Sequence, residues 1–252
     1  MHRLSPIIRA LSGDVSSFVS RLFETIRPGA PAMLILLPAI AIAFLTPHGC
    51  WAGPETKKDR MPIPIIKAAN GSAEGWQLKE WSGKARYEVI ETEAGSTLHL
   101  SSNATSTALY KEARFNIKDL PTLNWKWKAT KLPAGGDVRK KSTDDQAVQV
   151  YVIFPRWPEA VNSRLVGYIW DTTAPVGSIV TSTKTSNVRY IVVRSGEADL
   201  GRWLSEQRNV YADYKKLFNE EPPEAGRVSV MIDSDNTKSA AESFVAEIYF
   251  SK

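Results

Sequence analysis

An all-β fold, an antiparallel β-sandwich with one helix, is what this sequence predicts. Apolar residues recur at every second position in four well-marked segments. About ten short segments of this kind are separated by loops of Gly, Pro, Asn and Ser. A single stretch changes to the three- and four-residue spacing of a helix.

The clearest alternation is Leu123, Trp125, Trp127 and Ala129 against Asn124, Lys126 and Lys128, a strand with one buried and one wet face. Val148, Val150, Val152 and Phe154 form one face of the next, with Gln149 and Tyr151 on the other. Val228, Val230 and Ile232, and later Phe244, Ala246, Ile248 and Phe250, repeat the pattern. Weaker strands fit Trp76–Trp81, Ala85–Ile90, Thr97–Ser101, Arg114–Ile117, Leu165–Asp171 and Val188–Arg194. In GRWLSEQRNVYADYKKLF, Trp203, Val210, Tyr214 and Leu217 share one helical stripe that Pro222-Pro223 ends. The absence of βαβ alternation argues against a doubly wound or barrel arrangement.

The N-terminal end reads as an address rather than a fold. Ala30 to Leu45 is sixteen residues without a charge, short of the ~20 needed to span a bilayer. Arg3, Arg9, Arg21 and Arg27 precede it, and Cys50 and Ala52 place small residues before Gly53. Residues 1–52 are therefore expected to be an export signal with a long basic region, 53–64 a polar, proline-containing leader, and 65–252 a single sandwich domain in the periplasm, cell envelope or medium. Ile8, Leu11, Val15, Phe18, Leu22 and Ile26 have helical spacing within the basic region, which such signals share with membrane-surface helices. Cys50, the only cysteine, is the alternative processing point, with a lipid attached to it. Membrane contact is expected through that signal or that lipid alone.

Charge and composition exclude several functions. Of the net +5, four Arg against two acids in the first 52 residues account for +2, leaving +3 spread among acids. Nucleic-acid binding needs a concentrated basic stripe, and none is present. After residue 52 there is one histidine, His99, and no cysteine, so zinc sites, thiol chemistry and a serine triad lack their parts.

The stretches LNWKW, STDDQAVQVYVIF, GYIW, RWLSEQRNVYADYKKLF and DSDNT, in that order from Leu123 onward, resemble the bacterial family of domain of unknown function 3047. The resemblance implies a secreted, jelly-roll-like β-sandwich similar to carbohydrate-binding modules and galactose-binding-like domains, with no established activity. Gln149 stands where the family pattern implies arginine.

Three groups of residues point to chemistry. Trp157, between two prolines in PRWPEA, has no periodic reason to be buried, and an indole on a loop can stack on a sugar ring. Tyr168 and Trp170 share a strand face and are expected to line a concave surface with it, while one of Asp144 and Asp145 contacts ligand. As strand neighbours those two aspartates point to opposite faces and cannot form a facing catalytic pair. In DSDNT, Asp233, Asp235 and Asn236 offer oxygen ligands to Ca²⁺; the same residue types also form a self-capped turn. No catalytic residue is assigned. The function expected is non-catalytic binding of a glycan or another envelope ligand. A polysaccharide hydrolase using Asp145, Asp213 or Asp233 and a structural module contacting another protein are the alternatives.

Overall fold

The computed structural model describes residues 59–252; the expected export signal, the possible lipid site at Cys50 and the first part of the leader lie outside them. The strands, in chain order, are β1 (Arg60–Pro62), β2 (Gln77–Ser82), β3 (Arg86–Thr92), β4 (Gly95–Asn103), β5 (Ser106–Phe115), β6 (Thr122–Lys131), β7 (Val148–Phe154), β8 (Arg164–Asp171), β9 (Ile179–Thr181), β10 (Val188–Ser195), β11 (Leu204–Asn209), β12 (Ala225–Asp233) and β13 (Ala240–Ser251). A 3₁₀ turn at Lys141–Thr143, a single-turn helix α1 (Glu159–Asn162) and the longer α2 (Val210–Phe218) complete the set.

These strands form two sheets, the predicted sandwich. One has the order β11-β6-β13-β4-β3, with β1 also paired to β13; the other runs β2-β5-β12-β7-β8-β10-β9. Pairing is antiparallel apart from β10, which runs parallel to β8 after a crossover through β9. The alternation that marks β6 and β7 puts Leu123, Trp125 and Trp127 of one sheet opposite Val148, Val150, Val152 and Phe154 of the other, all buried in one core. Aromatic rings join the layers. Trp125 packs on Tyr168 at 5.3 Å between ring centroids and Trp127 on Trp170 at 5.9 Å, contacts that add to the area they bury.

Two local expectations need correcting. Leu204–Asn209 is not the start of a helix: it is an edge strand paired to β6 from Leu204↔Trp127 to Asn209↔Thr122. Its side chains alternate between half-buried and exposed, and the helical stripe had joined Trp203 to residues that belong to a different element. The helix begins where Asn209 accepts a hydrogen bond from Ala212 N and stops at Asn219 in the left-handed conformation. Arg114 lies near the end of the long strand β5, and Ile117 lies beyond it; β5 escapes notice in sequence because Lys111, Glu112 and Arg114 break the alternation on both faces.

α2 covers one edge of the core. Tyr214 meets Phe154 edge-on at 4.6 Å, and Arg208 grips Asp213 with two hydrogen bonds of 3.0 and 2.6 Å. Tyr168 Oη donates to the same carboxylate at 2.9 Å. Asp213, a carboxylate of the alternative hydrolase reading, is thus held as a structural tie between helix, edge strand and core.

Trp127 is fully buried and donates from Nε1 to Glu206 at 3.1 Å. Trp127→Ala is expected to lower stability by about 3–5 kcal/mol, the usual range for emptying a large aromatic site. Equilibrium unfolding in urea checks this, and a loss under about 1 kcal/mol would mean that the indole is not central to the core.

Candidate functional site

The residues singled out in sequence do not meet on one surface. Trp157 is 89 % exposed, on the loop leaving β7, where Asn162 Nδ2 donates to its carbonyl at 2.9 Å. Asp144 and Asp145 precede β7 at its other end. The seven residues of that strand place about 23 Å between the two ends. Tyr168 and Trp170 belong to neither: 0 % and 1 % exposed, they face the opposite sheet. β8 is an interior strand covered on both faces, so its shared-face aromatics serve the core and line no ligand surface.

At the Asp144 end the chain gathers carboxylates. Asp145, Asp233 and Asp235 each bring an oxygen within 4.8 Å of the others. Asp145 accepts from the backbone N–H groups of Asn236 and Thr237 at 3.0 and 2.6 Å, which draws the turn between β12 and β13 onto the start of β7. Asp235 N donates to Asp233 at 3.4 Å. Asn236 Oδ1 is buried without a hydrogen-bond partner. Asp145 thus joins the Asp233, Asp235 and Asn236 expected from sequence. Together they supply fewer than the six to eight oxygens Ca²⁺ takes, so a bound ion would complete its shell with water. Asp144 and Asp145 are not the strand neighbours expected but follow a 3₁₀ turn at Lys141–Thr143, and Asp144 points elsewhere: Gln146 Nε2 donates to it at 3.1 Å and Lys184 Nζ lies 4.0 Å away.

Sequence reasoning passed over what lies between these ends. The seven-stranded sheet carries a second buried cluster on its outer face, away from the core. Crossing it is a row of residues in register: Gln77 on β2, Tyr110 on β5, Ser229 on β12, Tyr151 on β7, Gly167 on β8 and Tyr190 on β10. Large and small residues alternate, and the small ones make room. A Cβ at Gly167 would lie 2.8 Å from Tyr151 Cε1 and 2.9 Å from Tyr190 Cδ1, so only glycine lets the two rings lean together, 6.2 Å apart. All three tyrosines are less than a tenth exposed, the floor of the face rather than studs on it. The one signal available in sequence was Tyr151 itself, which shares the non-core parity of β7 with Gln149.

Hydrogen bonds run from this floor to the acidic end. Tyr151 Oη donates to Gln149 Oε1. Gln149 Nε2 donates to Gln146 Oε1 at 2.7 Å, and Gln146 Nε2 to Asp144 Oδ1 at 3.1 Å. Tyr110 Oη donates to Gln77 Oε1 at 2.7 Å. Past the tyrosines, Arg227 Nε bonds Glu112 at 2.5 Å. Burial pushes the Tyr151 and Tyr190 hydroxyls up, so both stay protonated at neutral pH.

The family described as "Protein of unknown function (DUF3047)" matches residues 74–249. The chain belongs to the DUF3047 family. No curated protein matches this DUF3047 chain in sequence. Among solved structures it is similar to the family 11 carbohydrate-binding module of the cellulosomal cellulase Lic26A-Cel5E of Clostridium thermocellum, at 6 % identity and a TM-score of 0.42, covering 77 % of this chain and 95 % of that one. A family 30 carbohydrate-binding module from the same organism gives 11 %, 0.41, 76 % and 98 %. The xyloglucanase domain of NopAA, a type three effector from Sinorhizobium fredii, in complex with cellobiose, gives 9 %, 0.40, 72 % and 96 %. At such identities and scores the likeness carries no information about a ligand of the DUF3047 chain.

Burial pushes the Asp233 carboxyl well above the usual range, with Asp235 and Asp145 adding and Lys184 opposing. Burial also raises Asp144, against Lys184 and Gln146. The folded protein therefore binds protons on these groups at pH values where the unfolded chain, with an aspartate pKa of about 3.9, has released them. Their contribution to stability appears as pH falls below the raised folded value and is complete near the unfolded one. In chelator at pH 7, Asp233→Asn is expected to melt roughly 2–4 °C higher than the parent protein, the response of a domain this size to about 1 kcal/mol, and the gap should close towards pH 4. Melting curves from pH 4 to 8 check this; a variant less stable throughout would show the charge to be compensated. Repeating them in millimolar Ca²⁺ tests the cation: a bound ion raises the parent's melting temperature and leaves the variant's unchanged.

Proposed function

We propose that this DUF3047 chain is an exported, non-catalytic glycan-binding protein whose ligand lies across the Tyr110–Tyr151–Tyr190 row. The observation that carries the reading is the row itself, three aromatic rings held in register on a non-core face by Ser229 and Gly167. Sugars present apolar C–H faces and hydroxyl edges. Tyrosines flanked by Gln77, Gln149 and Gln146 match both, with area for the faces and hydrogen-bonding groups for the edges. The rings are sunk in the sheet, so binding requires Gln77, which accepts from Tyr110 Oη, to change rotamer, a common adjustment at interfaces. Trp157, exposed at the far end of β7, offers a separate stacking surface.

The non-catalytic part of the reading is supported by the engagement of the carboxylates. Asp213 is held by Arg208 and Tyr168, and Asp145 by two backbone N–H groups. His99 lies between Glu88 and Glu242 on the other sheet, 2.9 Å from each. Export to the periplasm or cell envelope is supported by the apolar run and basic flank of residues 1–52. Mass spectrometry of the envelope fraction is expected to find Gly53, or a lipidated Cys50, at the N-terminus; an intact Met1 end in the cytoplasm would sink export.

A polysaccharide panel in affinity electrophoresis is expected to give at least one binder, with a dissociation constant between about 1 µM and 1 mM, as suits a shallow site. Tyr151→Ala should weaken it about tenfold or more without unfolding the domain, and Trp157→Ala less. New reducing ends that disappear in Asp145→Asn would move the reading to a hydrolase. A panel with neither binder nor product would leave the protein-contact alternative.

A further inference from the structure

We infer that the loop between β7 and β8 is a membrane-surface anchor, with Trp157 and Val161 entering the interface of an anionic bilayer and Arg156, Arg164 and Arg189 meeting its phosphates. The surface is one end of the sandwich rather than the tyrosine face, so the inference stands apart from the glycan-binding reading. It also goes beyond the membrane contact expected through a signal or a lipid.

Two large apolar side chains stand out from this one loop. Trp157 is 89 % exposed and Val161 48 %. Hydrogen bonds hold them in that position. Asn162 Nδ2 donates to the Trp157 carbonyl at 2.9 Å, Asn187 Nδ2 to the Val161 carbonyl at 2.6 Å, and Ser163 Oγ to the Glu159 carbonyl at 2.8 Å. An indole has a flat apolar body and a single N–H, and it settles where hydrocarbon meets headgroups.

The feet of the loop are basic. Arg156 and Arg164 both reach Glu220 Oε1, at 2.6 and 3.0 Å, and Tyr214 Oη donates to the same oxygen at 2.7 Å. Arg164 also lies over the Phe218 ring, 4.6 Å from its centroid, and Arg189, at the start of β10, lies over that ring at 5.2 Å. Three guanidiniums thus cluster with one carboxylate, and Arg189 Nε is buried without a hydrogen-bond partner. Of the other acids nearby, Glu159 lies 3.8 Å from Arg227, and Glu224 shares a shallow cleft with Arg114. What these guanidiniums lack is acceptors, which a phosphodiester supplies.

The fold puts the loop at the end where the chain enters. β12 and β13 are joined by the turn at the acidic end, so the start of β12 and the finish of β13 lie together at the other. There β12 begins beside the end of β7, at Arg227↔Ile153, and β13 finishes beside β1, at Ser251↔Arg60. The nine residues from Cys50 to Lys58 reach about 30 Å at most when extended. A lipid on Cys50 would therefore bring this end to the bilayer. Asp145, Asp233 and Asp235 sit at the opposite end, away from a surface that would repel them.

The test sediments the processed protein, Gly53 to Lys252, which contains every described residue, with phosphatidylcholine vesicles that contain or lack about one third phosphatidylglycerol. The expected result is that the anionic vesicles hold about fivefold or more of the protein held by neutral ones, as one or two basic side chains at a surface produce. Brominated lipids should quench its tryptophan fluorescence. Trp157→Ser, at an exposed position that leaves the melting temperature in place, should weaken vesicle binding about tenfold or more and remove the quenching. Arg189→Gln should reduce the preference for phosphatidylglycerol while quenching persists, and Arg156→Gln serves should Arg189→Gln fail to fold. No binding to either vesicle, or binding that survives Trp157→Ser, would overturn the inference. A polysaccharide bound through Trp157 in place of vesicles would overturn it in favour of a glycan surface. A lipid preference unchanged in both arginine variants would overturn the part assigned to the guanidiniums.

Discussion

Everything else in this molecule depends on the aromatic seam between the sheets. Trp125 on Tyr168 and Trp127 on Trp170 fix which face of β6 and which face of β8 point inward. Because side chains alternate with a period of two, that choice also decides which residues face out. Once Val148, Val150 and Val152 take the core, Gln149 and Tyr151 have no other place than the outer face. Once Tyr168 and Trp170 take it, Gly167 must lie on that outer face as well. Core and candidate site are two sides of one decision.

Outward-facing positions on an antiparallel sheet usually meet water, as Lys126 and Lys128 do on the other layer. The seven-stranded sheet departs from this, with β7 and β12 buried along their whole length on both faces. The outer face mixes Ile153, Leu165, Ile169 and Val192 with tyrosines, glutamines and carboxylates. Buried polar groups must find partners, and here they find them in one another. This is the physical origin of the relay from Tyr151 to Asp144: a polar set sunk in an apolar setting has few hydrogen-bonding solutions.

How much of this was legible in the sequence follows from the range over which each feature is encoded. Alternation is local, so the β6, β7, β12 and β13 strands, and hence the sandwich, could be read from a few residues each. The exposure of Trp157 was also local, since prolines on both sides remove it from any periodic pattern. Tyr168 and Trp170 were misplaced because two aromatics on one strand face look alike whether that face meets ligand or core; Val166 on the same parity was the clue. Asp145 was separated from Asp233 by nearly half the domain's length in sequence, and only the pairing of β7 with β12 brings them together. The tyrosine row was least legible. Each member is unremarked on its own strand, and the row exists only through register across six strands.

The crossover that carries the chain from β8 to the parallel strand β10 has a further consequence. Gly167 and Tyr190 stand on strands whose register the core enforces, but Lys184 stands on the connecting segment, where no ladder constrains it. Frame and surface are therefore encoded in different kinds of sequence. The residue at 184, or the length of the segment around it, can change while the sandwich beneath keeps its architecture. A shared scaffold with a variable outer rim is what such a division of labour allows.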